Sequence, residues 1–179
     1  MRKVVLIGAA LLALIIIMIG CTGSDVPPPT VSMPEKPREI SVFYATGRTI
    51  VEERHIVEDD KDIIKTALNE VLTAQPQINA DIAIVQPECK VIDVKLDKKG
   101  LATINFSKEV LDFTADRKEK LLAYGAILET LKQFDGVKSF RFLVEGKEKG
   151  KINGKDIQKF WGVISLFNQP QPIDRPSKK

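Results

Sequence analysis

Catalysis and metal binding need side chains that can carry a proton, an electron pair or a cation, and this chain has few of them in useful company. His55 is its single histidine. It follows Glu52, Glu53 and Arg54 on a β-branched stretch, and no nucleophile constellation accompanies it, so a pairing role across strands is expected and not catalysis. A metal centre would need several His, Cys or carboxylate ligands at set spacing. Glu58, Asp59, Asp60 and Asp62 are acidic enough to suggest Ca²⁺, yet they lack the glycine and the spacing of a ligand loop. Acids at that place suit a helix start instead. Cys89 stands at the entry to a strand and is expected to act as a small buried hydrophobe, with an intermolecular disulfide as the alternative in an oxidising compartment. Lys147, Lys149 and Lys151, flanked by Lys138 and Lys155 and accompanied by Glu148, form a solvated loop or a contact for an acidic wall polymer or lipid headgroup. No glycine-rich phosphate loop is present. The expectation is a non-enzyme with no catalytic residue, no metal site and no cofactor.

Cys21 is a different case. Met1-Arg2-Lys3 is a short basic start, Val4 to Ile19 carries no charge, and Gly20-Cys21 precedes the polar Thr22-Gly23-Ser24-Asp25. Basic start, apolar core and a small residue before the cut describe a secretory leader. A cysteine directly after that small residue resembles a bacterial lipobox, with Met18 where leucine is usual. The expected leader is therefore 1–20, with Cys21 lipidated (a palmitate-type diacyl anchor) as the mature N-terminus. An uncleaved spanning helix is the alternative, but the apolar run falls short of the ~20 residues such a helix wants. Either way the remainder lies outside the cytoplasmic membrane, on its outer face, and two acyl chains anchor stably where one does not.

Pro27, Pro28, Pro29, Pro34 and Pro37 favour extended polyproline II over 21–38, a semi-rigid tether. The 179 residues, 44% apolar and 28% charged, suit one globular domain, 39–168, with accessory segments. Pro170, Pro172, Pro176 and the closing lysines suggest a disordered tail over 169–179. The formal charge is +3, and loss of Arg2 and Lys3 with the leader brings the mature chain close to neutral. Nothing demands nucleic acid, whose partners show a strong basic patch.

The elements that must position these residues are organised around 89–107. Ile92, Val94 and Leu96 alternate with Asp93 and Lys95, and Ala102, Ile104 and Phe106 alternate with Thr103 and Asn105. Asp97-Lys98-Lys99-Gly100 between them has the chemistry of a type I turn closed by a left-handed glycine. The result is an antiparallel hairpin with one apolar face that needs helices over it. Ile40 to Tyr44 and Thr49 to Val57 are expected strands, and Lys61 to Ala74 a helix ended by Pro76. Ile78 to Glu88 is a connector with an extended part. Asp116 and Glu119 form a capping box for a second helix carrying Leu121, Tyr124, Ile127, Leu128, Leu131 and Phe134, with Gly136 as its stop. Phe140, Phe142 and Val144 mark a strand over 139–145, and Lys155 to Phe167 is expected to close the domain as a short helix. The fold class is α+β: a mostly antiparallel sheet with two main helices packed on one face.

Cys89-Lys90-Val91-Ile92-Asp93-Val94 with Gly100-Leu101-Ala102-Thr103-Ile104-Asn105-Phe106-Ser107 resembles the centre of the GerMN domain of sporulation and spore-germination proteins and related envelope lipoproteins. Val42-Phe43-Tyr44, Gly47 and Glu52-Glu53-Arg54 are similar to its opening strands. Leu68 to Pro76 resembles its first helix, with Thr73-Ala74-Gln75-Pro76 departing from the more usual Gly-Pro ending. Ala126 to Leu131 with Phe134-Asp135-Gly136-Val137 resembles its second helix, and Val144 to Lys147 with Gly154 its close. The likeness covers about Ile40 to Gly154. It implies an α+β domain like the ring-building domains of envelope-spanning assemblies, in a non-enzymatic, membrane-anchored interaction module of sporulation or germination. Its partners would be the membrane, through Cys21, and envelope proteins or a second copy. The best-understood members carry two such domains, whereas this chain has room for one. The alternative function is an accessory lipoprotein of an envelope sensor or wall enzyme, binding a ligand or wall polymer.

Overall fold

The computed structural model describes residues 36–46, 49–58, 62–73 and 88–175. The leader, Cys21, most of the tether, Asp59 and Asp60, the connector up to Pro87 and the last four residues lie outside the described residues. Among the described residues no helix is long and apolar enough to cross a membrane.

Strand β1 (Pro37–Ala45) and strand β2 (Ile50–Glu58) form an antiparallel hairpin paired from Pro37↔Glu58 to Ala45↔Ile50. β1 begins inside the expected tether. Ile40, Val42 and Tyr44 alternate inward and are buried. Helix α1 (Ile63–Thr73) buries Ala67, Leu68, Val71 and Leu72, the stripe its 3.6-residue period dictates.

Strand β3 (Val91–Leu96) and strand β4 (Leu101–Phe106) form the expected central hairpin. Gly100 closes its turn at φ +87°. Asp97 Oδ1 accepts from the amides of Lys99 and Leu101 at 2.8 and 2.9 Å. Those amides, Leu101 first, hold the carboxyl below its usual range. Ala102, Ile104 and Phe106 are fully buried, as their alternation predicts. β3 departs from expectation. A register shift between Val91 and Asp93 makes Ile92 a bulge, so Val91 is buried while Ile92 is 42% exposed. One inserted residue re-aims the side chains that precede it.

A 3₁₀ turn (Lys108–Asp112) leads to helix α2 (Arg117–Lys132). The Asp116 and Glu119 side chains cap each other's backbone amides reciprocally, at 3.0 and 2.8 Å. The helix ends at Gln133, three residues before Gly136, whose φ is not positive. Gly136 is therefore not the helix stop; its carbonyl packs against Gly100, where an added Cβ would sit 2.8 Å away. Gly125, in mid-helix, leaves room for Ile50, whose Cδ1 would meet an added Cβ at 2.8 Å.

Strand β5 (Ser139–Val144) pairs with β4 in parallel, from Leu101↔Ser139 to Phe106↔Val144, and α2 is the crossover. The four-stranded sheet runs from a short C-terminal strand, β10 (Gln171–Pro172), through β5 and β4 to β3, and is otherwise antiparallel. Its core face carries Phe106, Phe140 and Phe142. The Phe142 ring lies 5.1 Å from Phe106, 5.0 Å from Phe140 and 6.1 Å from Tyr124 of α2. The β1–β2 hairpin packs against both helices.

The expected closing helix over Lys155 to Phe167 is absent. Two small hairpins stand there: β6 (Lys151–Ile152) with β7 (Lys155–Asp156), and β8 (Lys159–Phe160) with β9 (Ile164–Ser165). Asn153-Gly154 and Trp161-Gly162 turn them, each with both residues at positive φ, the requirement of a type I′ turn. The expected disordered tail is likewise corrected over 169–175. β10 (Gln171–Pro172) pairs with β5, and the Gln169 side chain both donates to Phe142 O at 3.1 Å and accepts from Phe142 N at 2.5 Å. Arg175 Nη2 donates to Phe134 O and Val137 O at 2.8 and 2.7 Å, and Nε to Lys132 O at 3.3 Å.

Candidate functional site

The strand alternation of β2 decides which of its charged residues face inward. Glu52 and Arg54 point out, Arg54 pairing with Glu39 of β1 at 3.1 Å. Glu53 and His55 point in, paired with Val42 and Ile40, toward α1. His55 Nδ1 lies 3.0 Å from Glu70 Oε2, and Nε2 lies 3.3 Å from Glu53 Oε2 and 3.4 Å from Tyr44 Oη. The side chains of His55 and Glu53 are 13% and 7% exposed. Burial first, then the charges of Glu53 and Glu70, pushes the Tyr44 hydroxyl far above its usual range. Glu70 and Tyr44 carried no signal in the sequence, since only the register and the helix packing bring them to His55.

This cluster is built to hold, not to react. A general base needs a free lone pair within reach of a substrate proton. Both imidazole nitrogens of His55 are already engaged by carboxylates, and among the described residues no serine or threonine hydroxyl and no cysteine thiol bonds to the ring. The pairing role expected from the sequence is the one the geometry provides, with α1 as a partner as well as the strands.

Cys89 is fully buried. Burial chiefly, then the charge of Glu109, pushes its thiol from 9.0 up to about 12, against a smaller opposing effect of the Ser107 hydroxyl. A thiol so protonated is inert as a nucleophile, and an intermolecular disulfide has no access to it. Its neighbours are Ser107 and Glu109, not His55, so the two sequence candidates do not converge. Asp62 sits at the head of α1, its carbonyl accepting from Thr66 N at 3.0 Å. Among the described residues no group of three or more His, Cys, Asp and Glu could hold a metal ion. Lys147 and Lys149 follow the Glu145-Gly146 turn and Lys151 opens β6, all three exposed, and Glu148 reaches Arg141 at 3.8 Å.

Among the described residues a groove of about 540 Å³ runs along β3. Val94 and Leu96 form its floor, the start of α1 (Ile63, Ile64) one wall and Phe134 to Gly136 the other. Arg38, Lys65, Asp62 and Asp135 place charges of both signs around it. Leu96 is 45% exposed. Among the described residues no strand pairs with the outer edge of β3, although the Asn69 side chain accepts from Val91 N at 2.9 Å. An apolar floor beside a strand edge that no described strand pairs can accept a peptide or a partner domain. It offers no set of converging reactive groups.

Residues 41–150 match the family model described as Germane, sporulation and spore germination. No curated protein matches the chain. Two solved structures are similar in fold. The first GerMN domain of the sporulation protein GerM from Bacillus subtilis superposes with a TM-score of 0.57 at 16% identity, covering 75% of this chain and 97% of that one. The tandem GerMN domains of the same protein give 0.54 at 19% identity, over 67% of this chain but only 44% of that one. The chain thus spans under half of the tandem structure.

Proposed function

Because the chain belongs to the Germane family of sporulation and spore germination, we propose that it is a non-enzymatic interaction module of a bacterial cell-envelope assembly in sporulation or germination. It is held on the outer face of the cytoplasmic membrane by lipid on Cys21, and it works by presenting one GerMN-type domain to envelope proteins or to a second copy. The lipobox-like Gly20-Cys21 after an uncharged run supports the anchor. The observation that carries the interaction role is the open flank of β3: a groove with an apolar floor, bordered by both signs of charge, next to a strand edge that no described strand covers. The locked imidazole of His55 and the protonated Cys89 thiol support the absence of catalysis.

Two experiments test the two halves. Light scattering of the mature domain, with pull-down from membranes, should give a self-associated species or a stoichiometric protein partner, and Leu96→Lys should reduce it. A monomer that captures no protein, or wall hydrolysis by the pure domain, would overturn the interaction role. Globomycin and Cys21→Ala should each leave a larger, unprocessed precursor, and an unchanged mature mass under both would overturn the anchor.

A further inference from the structure

We propose that the open edge of β3 pairs with the same edge of a second copy of this chain, antiparallel, about a two-fold axis at Val94. The pairing rests on the interaction role above and gives that role its partner and its register. The strand reads Ile92-Asp93-Val94-Lys95-Leu96, apolar at its ends and its middle, with an acid and a base at equal distances from the centre. Turned end for end, the acid falls where the base stood. Two such strands laid antiparallel about Val94 set Asp93 of each copy opposite Lys95 of the other.

The backbone of β3 is oriented for this pairing. Asp97 N donates to Leu101 O at 3.0 Å where the β3–β4 hairpin closes. In an antiparallel ladder alternate residues turn their polar groups to the same neighbour, so Asp93, Lys95 and Asp97 direct theirs to β4. The N–H and C=O groups of Val94 and Leu96 point the other way, to the flank where no described strand pairs. Val94 opposite Val94 of the second copy exchanges both N–H···O bonds of such a ladder. The paired stretch has built-in limits: the bulge at Ile92 ends it on one side and the Asp97–Gly100 turn on the other.

The side chains agree with the backbone. Asp93 and Lys95 pair with each other at 3.3 Å while 48% and 80% exposed. An ion pair so exposed is worth little, so little is lost when each charge turns to its counterpart across the axis. Ile92 and Leu96, both exposed, fall at the two ends of the paired stretch, where a second strand takes apolar surface out of water. Charges on an open edge also restrict what can join it. A shift of two residues either way sets Lys95 against Lys95 or Asp93 against Asp93, and like charges placed opposite oppose pairing. A shift of one sets inward side chains against outward ones. Of the three centres Asp93, Val94 and Lys95, the charges permit Val94.

Sedimentation of the full chain in mild detergent should show a concentration-dependent dimer. Asp93→Lys and Lys95→Asp should each weaken it about tenfold, since each sets two like-charged pairs beside the axis. The two substitutions combined should restore it. Val94→Cys gives a second reading in which no charge enters. Cα atoms of a pair that exchanges both hydrogen bonds stand about 5.5 Å apart, within the ~4.4–6.8 Å that a disulfide spans. Mild oxidation of membranes carrying full-length Val94→Cys should join it to itself, whereas Ile56→Cys, exposed on β2, should give no more product than the unsubstituted chain. A dimer that the combined swap fails to restore, no Val94→Cys product, or equal cross-linking of Ile56→Cys would each overturn the pairing. A monomer with a stoichiometric envelope protein bound would overturn it and leave the interaction role standing, and a monomer that captures no protein would overturn both.

Discussion

Two inner faces meet the helices of this domain, and they are made of opposite materials. The sheet presents Phe106, Phe140 and Phe142 on its core face, fully buried, with Phe106 edge-on to Phe142 and Phe140 tilted against it. The β1–β2 hairpin presents Ile40, Val42 and Tyr44, but its second strand sets Glu53 and His55 against Glu70 of α1. Aromatic contacts add about 0.5–1.5 kcal/mol beyond area burial and depend little on pH. A buried charge cluster gains its attraction against a desolvation cost and adds little net stability, yet removal of one member is harmful. The difference separates two jobs. The aromatic face makes the domain cohere, and the charged face fixes how the hairpin is seated.

The largest test strikes the aromatic face. Phe142→Ala should lose about 3–5 kcal/mol in denaturant unfolding, since Phe142 faces the rings of Phe106, Phe140, Tyr124 and Phe160. A loss below that of His55→Ala would reverse the comparison. His55→Ala should cost about 1–3 kcal/mol, since it leaves Glu53 and Glu70 facing each other without the ring between them. Amide exchange should sharpen the contrast, with β1–β2 amides in that variant opening well before those of β4–β5. Asp116→Ala removes a cap from the helix both faces share and should cost about 1 kcal/mol. It should loosen the two faces alike, and a selective effect on one would show that α2 does not couple them.

The smallest effect concerns alkaline pH. The Cys89 thiol ionises at 9.0 when free and about 12 in the fold, and Tyr124, by burial, moves from 10.0 to about 12. Between those values the unfolded chain releases protons that the fold retains. Their contribution is therefore complete below pH 9 and is lost as pH rises toward 12. Cys89→Ala should flatten that decline in thermal melts above pH 9, and an unchanged slope would remove Cys89 as its cause.

Much of this was legible from residue patterns. Alternation named Ala102, Ile104, Phe106, Phe140, Phe142 and Val144, because one face of each strand is buried and the period of two follows. Asp116 and Glu119 announced the head of α2 through local hydrogen bonds alone. The misses share a cause, which is that pairing and not local propensity decides them. Ile92 was expected inside, and a register shift put Val91 there. Phe160, Trp161 and Ile164 carry helix-like spacing, while the turn that breaks it uses a tryptophan at positive φ, which no turn rule favours. Pro170 and Pro172 suggested a loose end, but two glutamines and Arg175 supply hydrogen bonds that a proline count does not register. His55 was seen as a pairing residue, yet its partner Glu70 lies on a helix that only folding brings near.

The guanidinium of Arg175 gathers the carbonyls of Lys132, Phe134 and Val137, the loose ends left where the second helix runs out. A gene fragment cut at residue 168, before the proline-rich close, would forfeit that clasp together with the short outer strand and the Gln169 grip on Phe142. The domain's true border lies at least seven residues further on, and a fusion partner spliced in earlier would open the seam beside the aromatic heart of the sheet.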